Sequence, residues 1–140
     1  MRRSGFSLIE LMVVVAIIAF LAMIAVPNFN RFLAKAKRAE AYMNLNALYA
    51  AEKAYFAEHG TYSDVLIGEG GIGWQPEGKI YYSYGFSGSQ GRNNFIGTSG
   101  GQIQGSRVDK TGFTAVAASD KDVITIDENN NIVIVKDGLI

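Results

Sequence analysis

The sequence predicts an α+β fold: one long N-terminal helix, membrane-spanning in its first half, packed on a small antiparallel four-stranded sheet. Three observations predict it. Leu11 to Val26 is an unbroken apolar run, and Phe29 to His59 follows it, rich in Ala, Leu, Lys, Glu and Met, with neither Pro nor Gly. Beyond Gly60, Gly, Ser and Asn gather between short alternating segments.

The apolar run is sixteen residues long, and Phe6 to Val26 extends it to twenty-one, interrupted only by Ser7 and Glu10. A helix rising ~1.5 Å per residue needs about twenty such residues to cross the hydrocarbon of a bilayer. The run therefore suffices to span. A cleaved secretory signal also begins with basic residues, but it needs small residues after the apolar core. Here the core ends in Ala25-Val26-Pro27 and continues as Asn28-Phe29. Glu10 is the anomaly, because a carboxylate in a membrane helix costs up to ~3 kcal/mol at the centre and less near the interface.

From Phe29 the composition favours a continuous helix stopped at Gly60 by a glycine C-cap. Pro27 cannot donate to the helical ladder and is the expected kink between the two halves. Ala41, Leu45, Leu48 and Tyr55 share one face of the second half, and Met43, Ala47, Ala50 and Ala54 a neighbouring one, flanked by Tyr42, Tyr49 and Phe56. So wide an apolar surface calls for cover on more than one side, and the chain beyond Gly60 is too short to surround it.

A Gly-rich connector runs from Gly60 to Gly78. In Lys79 to Phe86 the residues Ile80, Tyr82, Tyr84 and Phe86 alternate with Tyr81, Ser83 and Gly85, the period of a strand. Ser87 to Arg107 reads as an exposed loop with a short strand about Asn94 to Ile96. Gly112 to Ala118, Val123 to Asp127 and Ile132 to Lys136 are the remaining strands, the last two joined by Glu128-Asn129-Asn130-Asn131, which completes a four-stranded meander.

Formal net charge is zero, so no whole-chain basic field favours nucleic acid. The absence of cysteine excludes a disulfide framework, thiolate metal sites and a cysteine nucleophile. His59, the only histidine, lies beside a helix-terminal glycine and is read as capping carbonyls. No partnered nucleophile and base stand out, so no enzymatic activity and no cofactor are expected. Gly68 to Gly73 lacks the ending of a phosphate loop and is a connector. Asp120, Asp122 and Asp127 have no EF-hand spacing and read as solvated turn carboxylates rather than calcium ligands. Arg31, Lys35, Lys37 and Arg38 read as a solvated or interfacial helix face.

Gly5-Phe6-Ser7-Leu8-Ile9-Glu10-Leu11, preceded by Arg2 and Arg3 and followed by Met12-Val13-Val14-Val15-Ala16-Ile17-Ile18, resembles the N-terminal signature of type IV pilins and their pseudopilin relatives. Ser7 stands where that family more often has threonine. Ala51 to Ser63, Ile72 to Gly78 and Phe113 to Ala117 are similar, more loosely, to type IVa pilins with short heads. The cysteine pair found in many pilins is missing. The resemblance implies the pilin fold and cleavage between Gly5 and Phe6 by a prepilin peptidase, which also N-methylates Phe6. It implies Glu10 as the assembly residue, and melting near Pro27 on assembly.

The division it implies is a cleaved leader at 1–5, a transmembrane and filament-core helix at 6–27, the periplasmic half-helix at 28–59 and a β head at 60–140. Loss of the leader with Arg2 and Arg3 leaves eleven basic against thirteen acidic residues. The implied partners are further copies in a helical filament, the peptidase, the pilus assembly machinery and, before assembly, the bacterial inner membrane, with the assembled pilus at the cell surface. Counting basic residues alone, Arg31 to Arg38 outweigh Arg2 and Arg3 and oppose this orientation; the motif is the more specific signal. The expected function is a pilus subunit serving adhesion, twitching motility or DNA uptake. A pseudopilin of a type II secretion or competence system stands as the alternative within the family, and a membrane-anchored binding module as the one outside it.

Overall fold

The computed structural model describes residues 5–87 and 93–138. Of the expected leader, residues 1–4 lie outside them, as does 88–92 of the expected loop. The elements are α1 (Leu8–His59), β1 (Ser83–Gly85), β2 (Arg107–Val108), β3 (Phe113–Ala118), β4 (Val123–Asp127) and β5 (Ile132–Lys136). The chain forms two compact units, Met1–Lys35 and Ala36–Ile140.

In the first unit every side chain from Phe6 to Leu33 is exposed. The segment is long and apolar enough to cross a membrane. The helical assignment continues through Pro27.

The second unit contains the core. Ala41, Leu45 and Leu48 of α1 pack with Tyr82, Tyr84, Phe86, Phe113, Ala115, Ala117, Ile124 and Ile126, whereas Tyr55, expected on the same face, lies outside this core and stacks on His59. Met43, Ala47, Ala50 and Ala54, on the neighbouring face, are exposed. Gly60, at φ 70°, donates its N–H to the Phe56 carbonyl at 2.8 Å and ends the helix. His59 Nδ1 lies 3.1 Å from the Tyr55 carbonyl, the expected capping position, and its ring stacks on Tyr55.

The sheet is antiparallel throughout, in the order β1-β3-β4-β5, and β2 pairs with β3 off that path. Ser83 to Gly85 pair with Ala118 to Val116, while Arg107 and Val108 pair with Thr114 and Phe113. Both short strands thus share one edge of β3.

Two expectations are corrected here. Lys79 to Phe86 is a strand only at Ser83–Gly85, because the carbonyls of Ile80 and Tyr81 accept from the amides of Thr98 and Ser99 instead of from the sheet. The segment expected to be an exposed loop is partly buried and carries β2 at its end, and the strand expected at Asn94 to Ile96 is a single bridge from Phe95 to Tyr84. Gly97 permits the burial: a Cβ there would lie 2.3 Å from the carbonyl oxygens of both Tyr81 and Tyr82.

Candidate functional site

The N-terminal segment brings Phe6, Ser7 and Glu10 together. Ser7 is the N-cap of α1, and Glu10 stands three residues on. Ser7 donates to Glu10 Oε2 from its backbone N–H at 2.9 Å and from its hydroxyl at 2.7 Å, and the Glu10 N–H returns a bond to Ser7 Oγ at 3.2 Å. This is a capping box: side chain and backbone satisfy each other's orphan groups at the helix start. The acidic side chain also complements the positive end of the helix dipole.

The S-x-x-E spacing behind it is readable in the sequence. There the hydrophobicity of the surrounding run draws attention to membrane crossing, and the cap role of Ser7 is easily passed over.

The carboxylate that looked costly thus has local donors at the start of its own helix. Phe6, Ile9, Val13 and Val14 surround it with apolar surface. Gly5, immediately before, is exposed, with no heavy atom within 4 Å of where a Cβ would sit. The bond following Gly5 is therefore accessible, and it joins the cap directly. Pro27 belongs to a different turn of the same helix and takes no part in this cluster.

The remaining candidate residues go elsewhere. Arg38 departs from the solvated reading of the basic cluster: its guanidinium forks onto Asp122, with Nε to Oδ2 and Nη2 to Oδ1 both at 3.0 Å, and Nη2 also reaches Asp137 Oδ1 at 2.6 Å. These carboxylates hold its proton even more firmly than usual, against the opposing effect of burial. Asp122 is fully buried and also accepts from the Tyr82 hydroxyl at 2.8 Å, so it is not a solvated turn carboxylate. Burial, reinforced by that carboxylate, pushes the Tyr82 phenol upward.

Asp127 closes its turn by accepting the N–H groups of Asn129 and Asn131, and exposed Asp120 accepts the Tyr81 hydroxyl. Among the described residues no cluster of three acidic or histidine side chains could hold a metal ion. Lys37 lies 4.0 Å over the Tyr81 ring.

One ionisable side chain is buried within the helical pattern. Glu52 occupies the next position on the Ala41-Leu45-Leu48 stripe and is completely enclosed.

A family model described as the prokaryotic N-terminal methylation motif matches residues 1–26. The chain is 50% identical over 90 residues to the type IV major pilin protein PilA of Myxococcus xanthus, an alignment covering 64% of this chain and 40% of that one. It is 36% identical over 62 residues to a type IV major pilin protein PilE1 of Neisseria gonorrhoeae, covering 44% and 38% of the two chains. Over 58 residues it is 38% identical to a fimbrial protein of Neisseria meningitidis, covering 41% and 34%. The chain therefore spans two fifths or less of the length of these relatives.

Proposed function

We propose that this chain, which carries a type IV prepilin signature, is a structural subunit of a type IV pilus and not an enzyme, anchored first in the bacterial inner membrane and then assembled into a surface filament. The observation that carries this reading is a division of labour. Residues 6–33 are exposed and, apart from Ser7, Glu10, Asn28, Asn30 and Arg31, apolar, whereas every residue of the core comes from Ala41 onward. A helix that the head does not need for folding, and that water does not favour, is available for packing against copies of itself.

In this reading a prepilin peptidase cuts between Gly5 and Phe6 and methylates the new amino group of Phe6. The free α-amino group then becomes the partner of Glu10 on a neighbouring subunit. Among the described residues the carboxylate uses only Oε2 within its own chain, so Oε1 is available to a second donor. An ion pair in an apolar filament core attracts far more strongly than in water, and a mis-seated subunit leaves two buried charges unpaired. Glu10 thus sets the height at which a subunit enters. Pro27 has no N–H for the ladder and is the point at which the helix loosens as it is packed. The assembly machinery of the pilus and the inner membrane are the remaining partners.

Mass spectrometry of the mature protein tests the processing step, with an N-terminus at methylated Phe6 expected and an intact Met1 contradicting it. Glu10→Ala is expected to leave insertion and cleavage intact while reducing surface filaments at least tenfold, counted by microscopy beside an immunoblot for processed subunit. Normal filaments from fully processed Glu10→Ala protein would refute the charge-pairing step.

A further inference from the structure

Glu52 is buried with too few donors for a carboxylate. Its Oε2 accepts one hydrogen bond, from the Ser63 N–H at 3.3 Å, and its Oε1 has no hydrogen-bond partner. An ionised carboxylate taken out of water needs several donors, and a single long bond leaves most of the desolvation uncompensated. The neutral acid is the form that suits this place.

Ser63 belongs to a strap, residues 61–74, that lies on the helix. The Ser63 hydroxyl donates to the Gly70 carbonyl at 2.6 Å and accepts from the Val65 N–H at 3.2 Å. Ile72 N–H to Val65 and Trp74 N–H to Leu66 close the strap on itself, and Leu66 and Trp74 anchor it in the core. Gly60 at φ 70° and Gly73 at φ 71° stand at its two ends, in a backbone region that favours glycine. Between strap and helix runs a cleft of about 270 Å³, lined on the helix side by Ala51, Ala54, Tyr55, Glu58 and His59.

We propose that Glu52 is a proton-controlled latch: as the neutral acid it seats Ser63 and holds the strap on the helix, and its ionisation releases the strap and opens the cleft. Asp64 on the strap is the charged group that acts on Glu52, and its negative charge opposes ionisation. On the helix, Glu58 and His59 line the cleft, while Lys53 is turned to the Tyr62 hydroxyl at 3.1 Å. Burial pushes the Glu52 carboxyl up to about 7, with the Asp64 charge adding to the rise and the Ser63 N–H opposing it.

The sign follows from linkage. Closure is fully favoured below the ordinary glutamate value and weakens as the pH rises through about 7. Across that window the population of the open strap grows by about tenfold per pH unit, and above it the effect levels off. The latch operates in an isolated subunit, so it holds whether or not the chain polymerises.

Hydrogen–deuterium exchange of the full chain in detergent micelles, at pH 5 and pH 7, tests it. The strands β3 and β4 in the same sample correct for intrinsic exchange. Relative to those strands, strap protection is expected to fall at least tenfold between the two pH values, and in Glu52→Gln to stay flat. An unchanged wild-type strap, or the same fall in Glu52→Gln, overturns the proposal. Should Glu52→Gln lose protection in the strands as well, Asp64→Asn decides: removing the like charge is expected to move the midpoint of strap opening to lower pH, and an unmoved midpoint overturns the latch.

Discussion

Replacing Arg38 by methionine keeps most of the apolar stem and removes the charge that Asp122 faces. Arg38 reaches across the second unit to bind Asp122 at two points, and Asp122 has no exposure to water. Without it the carboxylate retains the Tyr82 hydroxyl and an uncompensated buried charge, a loss of about 3–5 kcal/mol. The second partner supplies the control. Asp137 is 29% exposed, so Asp137→Asn leaves the Asp122 fork in place and is expected to cost about 1 kcal/mol or less. The double replacement Arg38→Met with Asp122→Leu removes both charges together and is expected to recover most of what Arg38→Met loses.

The assay is urea denaturation of the full chain in mild detergent, followed by the fluorescence of Trp74, the only tryptophan, which packs edge-on against Tyr84 and Phe95. At about 4–8 °C per kcal/mol for a unit of this size, thermal melting of Arg38→Met should also fall by more than ten degrees. If Arg38→Met and Asp137→Asn prove equally mild, or if the double replacement is as unstable as Arg38→Met, the buried pair does not hold helix to sheet.

Two further outcomes are expected. A fragment of residues 28–140 retains the whole core and should be soluble, folded by circular dichroism and monomeric by sedimentation; filaments formed by it would show that the apolar segment is not the assembly element. Gly97→Ala forces a methyl group against the Tyr81 and Tyr82 carbonyls and should cost about 1–3 kcal/mol in the same urea assay. Gly101 makes a comparable approach to the Ala118 carbonyl, so Gly101→Ala should behave alike, and a neutral result at both would mean that the segment shifts without penalty.

The periodic parts of the chain were legible because one rule governs each of them. The glycine stop at Gly60, the buried stripe of Ala41, Leu45 and Leu48, and the strands Val123–Asp127 and Ile132–Lys136 all follow from local composition and period. Lys79 to Phe86 was legible only in part. Tyr82, Tyr84 and Phe86 are buried as the alternation expects, but Ser83 and Gly85 between them are buried too, and Thr98 and Ser99 take the carbonyls of Ile80 and Tyr81, partners that no local rule foretells.

Polar residues in the core were not legible. Arg38 and Asp122 lie 84 positions apart, and Glu52 resembles any other charge on a Lys/Glu-rich helix until the strap is laid over it. At the N-terminus the apolar run and Glu10 are plain in the sequence, and so is the Ser7 spacing. That serine and glutamate bond to one another is a matter of geometry.

The arrangement about β3 bears on the order in which the molecule comes into being. β3, β4 and β5 are joined by short turns, so their pairings close small loops, whereas β1 reaches β3 only after a long excursion. Small loops close at the least entropic cost, so these three strands are the part of the head able to organise first. They are also made after the helix whose stripe they cover. During synthesis, then, Leu45 and Leu48 wait for Phe113, Ile124 and Ile126, while the apolar run before them is already complete. A chain built in this order commits its hydrophobic end before its head has a shape, so until both are covered it exposes two sticky surfaces at once.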